Sequence, residues 1–312
     1  MKSRKSLSLL LLVTISFIYG CQREEVLFQE PILADGTRFK DLVFSEVTSE
    51  RDVKYGQNKS AAGREVDLFM NIYQPAKDTM LVRPLVILAH GGGFTSGQKE
   101  DFDDMAQAFA QAGYVAATIS YRLMDEGGLK TAVVDAVQDL MAAIRYFTKD
   151  NAYRVDEDNV WVGGFSAGAV MALHAAYFRE NELASAPQEI VDHLNATGGF
   201  SGNSGNPGAS EKIKGVINIA GGLFRADWVS AGEPRLVSVH GTRDKDVAYT
   251  KDPAAANNPN GDFTEGSGLI HPIADRVGIV NQLKAIERGK HGAFFTCSEC
   301  FAEIRNFMYN NL

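Results

Sequence analysis

The sequence predicts an α/β fold: a mostly parallel sheet with helices on both faces. Three observations carry this. Strand-like and helix-like segments alternate from residue 65 onward. The run Pro84–Ala89 (PLVILA) is continuously apolar, as a strand covered on both sides must be. Residues 130–147 place Ala132, Val133, Ala136, Leu140, Ala143 and Ile144 along one helical face.

The elements follow in chain order. Lys2, Arg4 and Lys5 form a basic start, and Leu7–Tyr19 is an apolar run too short to span a bilayer comfortably. It ends in Ile18-Tyr19-Gly20-Cys21, which resembles the bacterial lipobox. On that resemblance residues 1–21 are a lipoprotein signal, Cys21 is the lipidated residue, and the mature protein is anchored in the bacterial cell envelope. The alternative is an ordinary signal peptide with an incidental cysteine. Gln22 stands where an aspartate would mark inner-membrane retention, and Arg23-Glu24-Glu25 resembles a surface-export signal, so an outer-membrane location on the periplasmic or surface side is expected. Residues 22–38 read as a tether, and 39–312 as one domain.

Within that domain Glu65–Tyr73 alternates polar and apolar residues, as a half-buried strand does. Phe102–Ala112 has helical spacing and stops at Gly113, a natural C-cap. Tyr114–Ile119, Val160–Gly163, Gly215–Ala220, Arg235–His240 and Ile279–Ile286 read as strands, and Ala167–Arg179 and Leu269–Val277 as helices. The tail from Phe301 reads as a closing helix. Two stretches are long for connections in a compact domain, 180–212 with its Gly-, Ser- and Asn-rich Gly198–Gly208, and 248–268. Each is either a small cap or lid insertion or a loose surface loop.

The chain has 312 residues, 45% of them apolar and 22% charged, enough to bury a sizeable core. A net charge of −8 with no basic stripe argues against a nucleic-acid partner. Three cysteines are present. With Cys21 lipidated, Cys297 and Cys300 remain, either as a structural disulfide of an oxidising compartment or as two free thiols. A metal site would need a second ligand pair, which is lacking.

Gly164-Phe165-Ser166-Ala167-Gly168 is a G-x-S-x-G pattern between a strand and a helix. The chemistry needs small residues there because the turn is sharp and neighbouring backbone passes close. Ser166 then stands clear as a nucleophile, and the N–H of Ala167 points at a developing oxyanion. His90-Gly91-Gly92-Gly93-Phe94 follows the buried strand, and its glycines can offer further N–H groups without Cβ obstruction. His90 itself reads as a brace of that loop. A serine nucleophile needs a base and the base an orienting acid, in the order serine, acid, histidine. His174 lies too near Ser166 in sequence, His193 falls in the insertion, His240 ends a strand, and His271 sits in a helix. His291, in Gly289-Lys290-His291-Gly292 after the last strand, is the expected base. Asp244 is the expected acid, with Asp246 as its reserve; both follow the strand ending at His240.

HGGGF, Ser120-Tyr121-Arg122 and GFSAG together resemble carboxylesterases of the α/β-hydrolase superfamily over about residues 50–295. The segment HGTRDKDV is similar to the family's HGTxDxxV, whose first aspartate is catalytic, here Asp244; Asp246 and Ala248 depart from the usual Val and Pro. The resemblance implies an α/β-hydrolase fold and an oxyanion hole of Gly92, Gly93 and Ala167. It implies a serine esterase acting through an acyl-enzyme on small-molecule or polysaccharide-linked esters, acetyl or feruloyl among them, with no metal or organic cofactor. The rivals are a serine peptidase of the same fold and an inactive surface-binding protein.

Overall fold

The computed structural model describes residues 36–150, 152–252 and 264–312. Cys21, most of the 22–38 tether and the middle of the 248–268 insertion lie outside the described residues. No helix among the described residues is long and apolar enough to cross a membrane.

The chain enters through β1 (Val47–Lys59), β2 (Glu65–Pro75) and β3 (Arg83–Ala89). It continues through α1 (Asp103–Ala112), β4 (Val115–Ile119), α2 (Leu129–Thr148), β5 (Val155–Phe165) and α3 (Ala167–Tyr177). Then come α4 (Gln188–Thr197), β6 (Gly215–Ile219), β7 (Gly222–Leu223), β8 (Arg235–Gly241), β9 (Glu265–Gly266), α5 (Ser267–Val277), β10 (Asn281–Ile286) and α6 (Cys300–Tyr309). Eight strands make one sheet in the order β1-β2-β4-β3-β5-β6-β8-β10. β1 and β2 pair antiparallel, as do β2 and β4; every other pair is parallel.

Side-chain alternation explains why β3 is apolar from Pro84 onward. Leu85, Ile87 and Ala89 point into one core with α2, α3 and α5. Val86 and Leu88 point into the other, with α1, Trp161 and α6. A strand between two helical layers has no solvated face, so no polar residue interrupts it. α3 is buried on every side, which removes any polar stripe from its sequence.

β3 is also where the winding reverses, because the chain runs outward to β4 and then back to β5 on the other side. Such a switch point opens a crevice beyond the carboxyl ends of the strands. The register sets Ala89 beside Gly164. The loops after β3 and β5 therefore leave the sheet side by side.

The 180–212 insertion packs on the flank of α2. Ile190 and Leu194 of α4 close a small core with Val134, Phe178 and Trp228. Polar side chains pin the rest of it. Arg145 donates to the carbonyls of Gly205 (2.8 Å) and Ser201 (2.8 Å), and Asn206 Nδ2 donates to the Tyr55 carbonyl (2.8 Å). The Gly- and Ser-rich composition that suggested a loose loop is instead that of a backbone held at close quarters: a Cβ on Gly202 would lie 2.4 Å from the Gln138 side chain. Cys297 and Cys300 are joined in a disulfide at the start of α6, so the free-thiol alternative does not hold.

Candidate active site

β5 delivers Ser166 at its carboxyl end, where α3 begins. The serine has φ 54° and ψ −117°, a conformation that is costly for a residue with a side chain. Packing enforces it. A Cβ on Gly164 would stand 2.1 Å from the Ala89 carbonyl oxygen, and one on Gly168 2.3 Å from the same atom. Both flanking glycines are thus required by the passage of β3, and the strained serine between them is pushed out over the crevice.

The loop after β3 folds around the Gly92 carbonyl, which accepts from the N–H groups of Thr95 (3.0 Å) and Ser96 (3.1 Å). Gly92 and Gly93 have φ of 106° and 61°. Their own N–H groups donate to no protein acceptor among the described residues, and Ala167, first in its helix, has none within the helix. His90 is 2% exposed. Its Nδ1 lies 2.7 Å from the Gly91 carbonyl, and its ring stacks on Tyr121 at 4.4 Å. Burial lowers its affinity for a proton, as suits an uncharged brace.

The carboxyl ends of β8 and β10 bring in the other two groups. A Cβ on Gly241 would lie 2.5 Å from the carbonyls of Gly289 and Lys290, so the two loops run in backbone contact. Arg243 N–H donates to the Gly289 carbonyl (2.8 Å) and Arg288 N–H to Thr242 Oγ1 (2.8 Å). Across this stapled corner His291 Nδ1 sits 2.7 Å from Asp244 Oδ2, and His291 Nε2 sits 2.8 Å from Ser166 Oγ. The imidazole ring also rests on Phe165, 4.7 Å between centroids.

Asp244 Oδ1 accepts from the N–H groups of Asp246 (2.9 Å) and Val247 (3.1 Å). Burial alone would raise this carboxyl, but bonds from His240, His291 and the Asp246 N–H outweigh it and hold Asp244 well below the usual carboxylate range. Asp244 therefore stays ionised through neutral pH and fixes the His291 proton on Nδ1, leaving Nε2 free to accept from the serine. Of the two candidate aspartates, Asp244 is the one bonded to the imidazole; Asp246 has an exposed side chain and contributes its N–H. Atoms of Asp244, Asp246 and His291 lie within 4.8 Å of one another, but Asp244 and His291 already spend theirs on each other.

The remaining histidines lie elsewhere. His174 is fully buried, with burial lowering its pKa to about 4, and accepts from the Phe224 N–H (3.2 Å). His193 meets Asp135 at 2.8 Å on the α2 flank, and His271 meets Asn281 beneath β10. Sequence reasoning missed His240 as a neighbour of the acid: its Nε2 is 3.2 Å from Asp244 Oδ2. It also missed Phe295, which is 59% exposed and stands edge-on to Phe165 at 5.0 Å. The HGT triplet places His240 at a strand end but does not reveal its partners, which come from other elements.

Known proteins share this frame. Residues 70–223 match the family model BD-FAE, a span that holds Gly92, Gly93 and Ser166 but ends before Asp244 and His291. Gut esterase 1 of Caenorhabditis briggsae is 32% identical over 111 residues, 33% of this chain and 19% of that protein. A non-reducing polyketide synthase of Aspergillus novofumigatus is 26% identical over 155 residues, 47% of this chain and 7% of that one. The chain thus spans a small part of these curated relatives. Among solved structures, Thermogutta terrifontis esterase 2 phosphorylated by paraoxon superposes with a TM-score of 0.57 at 22% identity, over 84% of this chain and 91% of that one. A truncated carbohydrate esterase from gut microbiota gives a TM-score of 0.57 at 18% identity, over 91% and 99%. With its eight-stranded, mostly parallel sheet, the chain has the α/β-hydrolase fold, and its residues 70–223 are similar to the BD-FAE family.

Proposed function

We propose that this chain is a serine hydrolase that cleaves carboxylic esters through an acyl-enzyme. The observation carrying the proposal is the unbroken line of hydrogen bonds from Ser166 Oγ to His291 to Asp244, at 2.8 and 2.7 Å. Ser166 Oγ attacks the ester carbonyl while its proton passes to His291 Nε2. Asp244 holds the imidazole tautomer and stabilises the imidazolium. The N–H groups of Gly92, Gly93 and Ala167 receive the oxyanion. His291 returns the proton to the departing alcohol, and water then releases the acid by the same steps in reverse order.

The substrate class we propose is an acylated carbohydrate. Its support is the likeness to a carbohydrate esterase from gut microbiota and to the BD-FAE model. The lipobox-like Cys21 supports a lipid-anchored protein of the cell envelope. Hydrolysis of p-nitrophenyl acetate and of acetylated and feruloylated oligosaccharides by the purified protein tests the activity. Loss of turnover in Ser166→Ala and His291→Ala supports it. A wild-type protein no faster than buffer, and unlabelled by a fluorophosphonate, overturns it. Radiolabelled palmitate entering the wild type but not Cys21→Ala tests the anchor.

A further inference from the structure

His240 is the last side chain of β8 before Gly241, and none of its ring is exposed. Its Nε2 faces two acceptors, the Val247 carbonyl at 3.0 Å and Asp244 Oδ2 at 3.2 Å. Its Nδ1 lies 2.9 Å from Ser267 Oγ at the start of α5. The direction of these bonds follows from their neighbours. Gly221 N–H donates to Asn218 Oδ1 (2.8 Å), which fixes the Asn218 amide. Asn218 Nδ2 is then a donor, to Ser238 Oγ (2.9 Å) and Ser267 Oγ (3.1 Å). The Val247 carbonyl and the ionised Asp244 carboxylate can only accept, so the His240 proton sits on Nε2, aimed at both. His240 Nδ1 is then an acceptor, and Ser267 Oγ, which accepts from Asn218, gives it its own hydrogen. Asn218, Ser238, Ser267 and His240 are each at most 1% exposed, so water cannot substitute for any link.

We propose that His240 is a positioning residue for the ester-cleaving site: held as the Nε2–H tautomer by Ser267 and Asn218, it donates to the same Asp244 oxygen that accepts from His291. The proposal rests on Ser166, His291 and Asp244 acting as described above. Asp244 Oδ2 thus receives two imidazole donors, and β6, β8 and α5 jointly fix where that oxygen lies. The second donor has an electronic consequence as well. It draws off part of the carboxylate's charge, so the imidazolium of His291 is held less tightly than by a carboxylate bonded to one histidine. The groups facing His240 are Asp244 from its own loop, His271 from α5, and Tyr249 edge-on at 5.5 Å. β10 presents only Ala285 opposite it.

The test is a set of full-length variants assayed on p-nitrophenyl acetate across pH, with folding checked by circular dichroism and melting temperature. His240→Leu removes the donor. It is expected to lower kcat roughly 10- to 100-fold, with KM changed less than about twofold, because what is lost acts on the transition state. Its acid limb in kcat/KM moves to higher pH, since Asp244 now holds the His291 imidazolium more firmly. His240→Gln, whose Nε2 can occupy the place of the imidazole Nε2, restores most of the rate and returns the limb toward the wild-type position. Ser267→Ala frees the tautomer without emptying the site; it moves the limb the same way by a smaller amount, and it decides the matter if His240→Leu does not fold. Variants of a working enzyme with unchanged kcat and an unmoved limb overturn the positioning role alone. So does a His240→Gln no better than His240→Leu when both are folded. A wild type without esterase activity overturns the serine-hydrolase proposal and takes this one with it.

Discussion

Gly164 of β5 lies directly opposite Ala89 of β3, so close that a Cβ on the glycine would fall 2.1 Å from the alanine's carbonyl oxygen. The obstacle is backbone in the middle of the sheet and has nowhere to go. Gly164→Ala should therefore destabilise the fold by about 2–3 kcal/mol or more, by overpacking. Urea unfolding reads this directly. A variant of wild-type stability would mean that the two strands can part at no cost.

Asp244→Asn tests the acid by itself. An amide can take the carboxylate's place but also offers an N–H to His291, which favours the wrong imidazole tautomer. The expected result is a fall in kcat of about 10³–10⁴-fold with the fold intact. Asp246→Asn keeps the backbone N–H that bonds Asp244 Oδ1, and it should stay within a few-fold of wild type. Steady-state kinetics on one activated ester compares the two.

Arg122 and Asp139 form a buried ion pair at 2.9 Å, with side chains 3% and 0% exposed. From the loop after β4, Arg122 also bonds the carbonyls of Lys59 (3.0 Å) and Asp135 (2.8 Å), so it ties β1 to α2. Arg122→Met strands the Asp139 carboxylate and should cost about 3–5 kcal/mol. Arg122→Met with Asp139→Leu should recover much of that loss, because the pair's attraction barely exceeds its desolvation. A denaturation series on the single and double variants separates the two contributions.

Glu233 gives a stability signature that depends on pH. Burial, helped by the nearby Glu182 carboxylate and opposed by the Ser230 N–H, raises its pKa from the ordinary 4.5 to about 7. A folded-state value above the unfolded one means that the native protein binds more protons between those two points. Stability from this residue is thus present at low pH and declines as pH rises through that window. Glu233→Gln should be more stable than wild type at pH 8 by on the order of 1 kcal/mol, discounted for partial exposure, and equal to it near pH 4. Melting temperatures at the two pH values measure it.

The central sheet was legible in the sequence because both of its faces are dry. Pro84–Ala89 has no polar residue for that reason, Tyr114–Ile119 and Gly215–Ala220 carry one each, the buried and hydrogen-bonded Thr118 and Asn218, and the glycines around Ser166 record the close passage of β3. β1 is not legible in the sequence, for a physical reason. It is a 13-residue edge strand with mostly exposed side chains, and its alternation is broken by irregularities between Glu50 and Val53 and between Lys54 and Gly56. α4 escaped for a similar reason, burying only Ile190 and Leu194. Ser166, His291 and Asp244 could be nominated locally, from a strand end and a glycine in each case. His240 could not, because its partners Ser267 and Asn218 come from two other elements, and no local pattern encodes that meeting.

β10, which leads into His291, is the outermost strand at its end of the sheet and among the last elements in the chain. A polypeptide that ends before β10 therefore carries Ser166 without the imidazole of His291, and on the proposed chemistry it would lack the group that takes the serine proton.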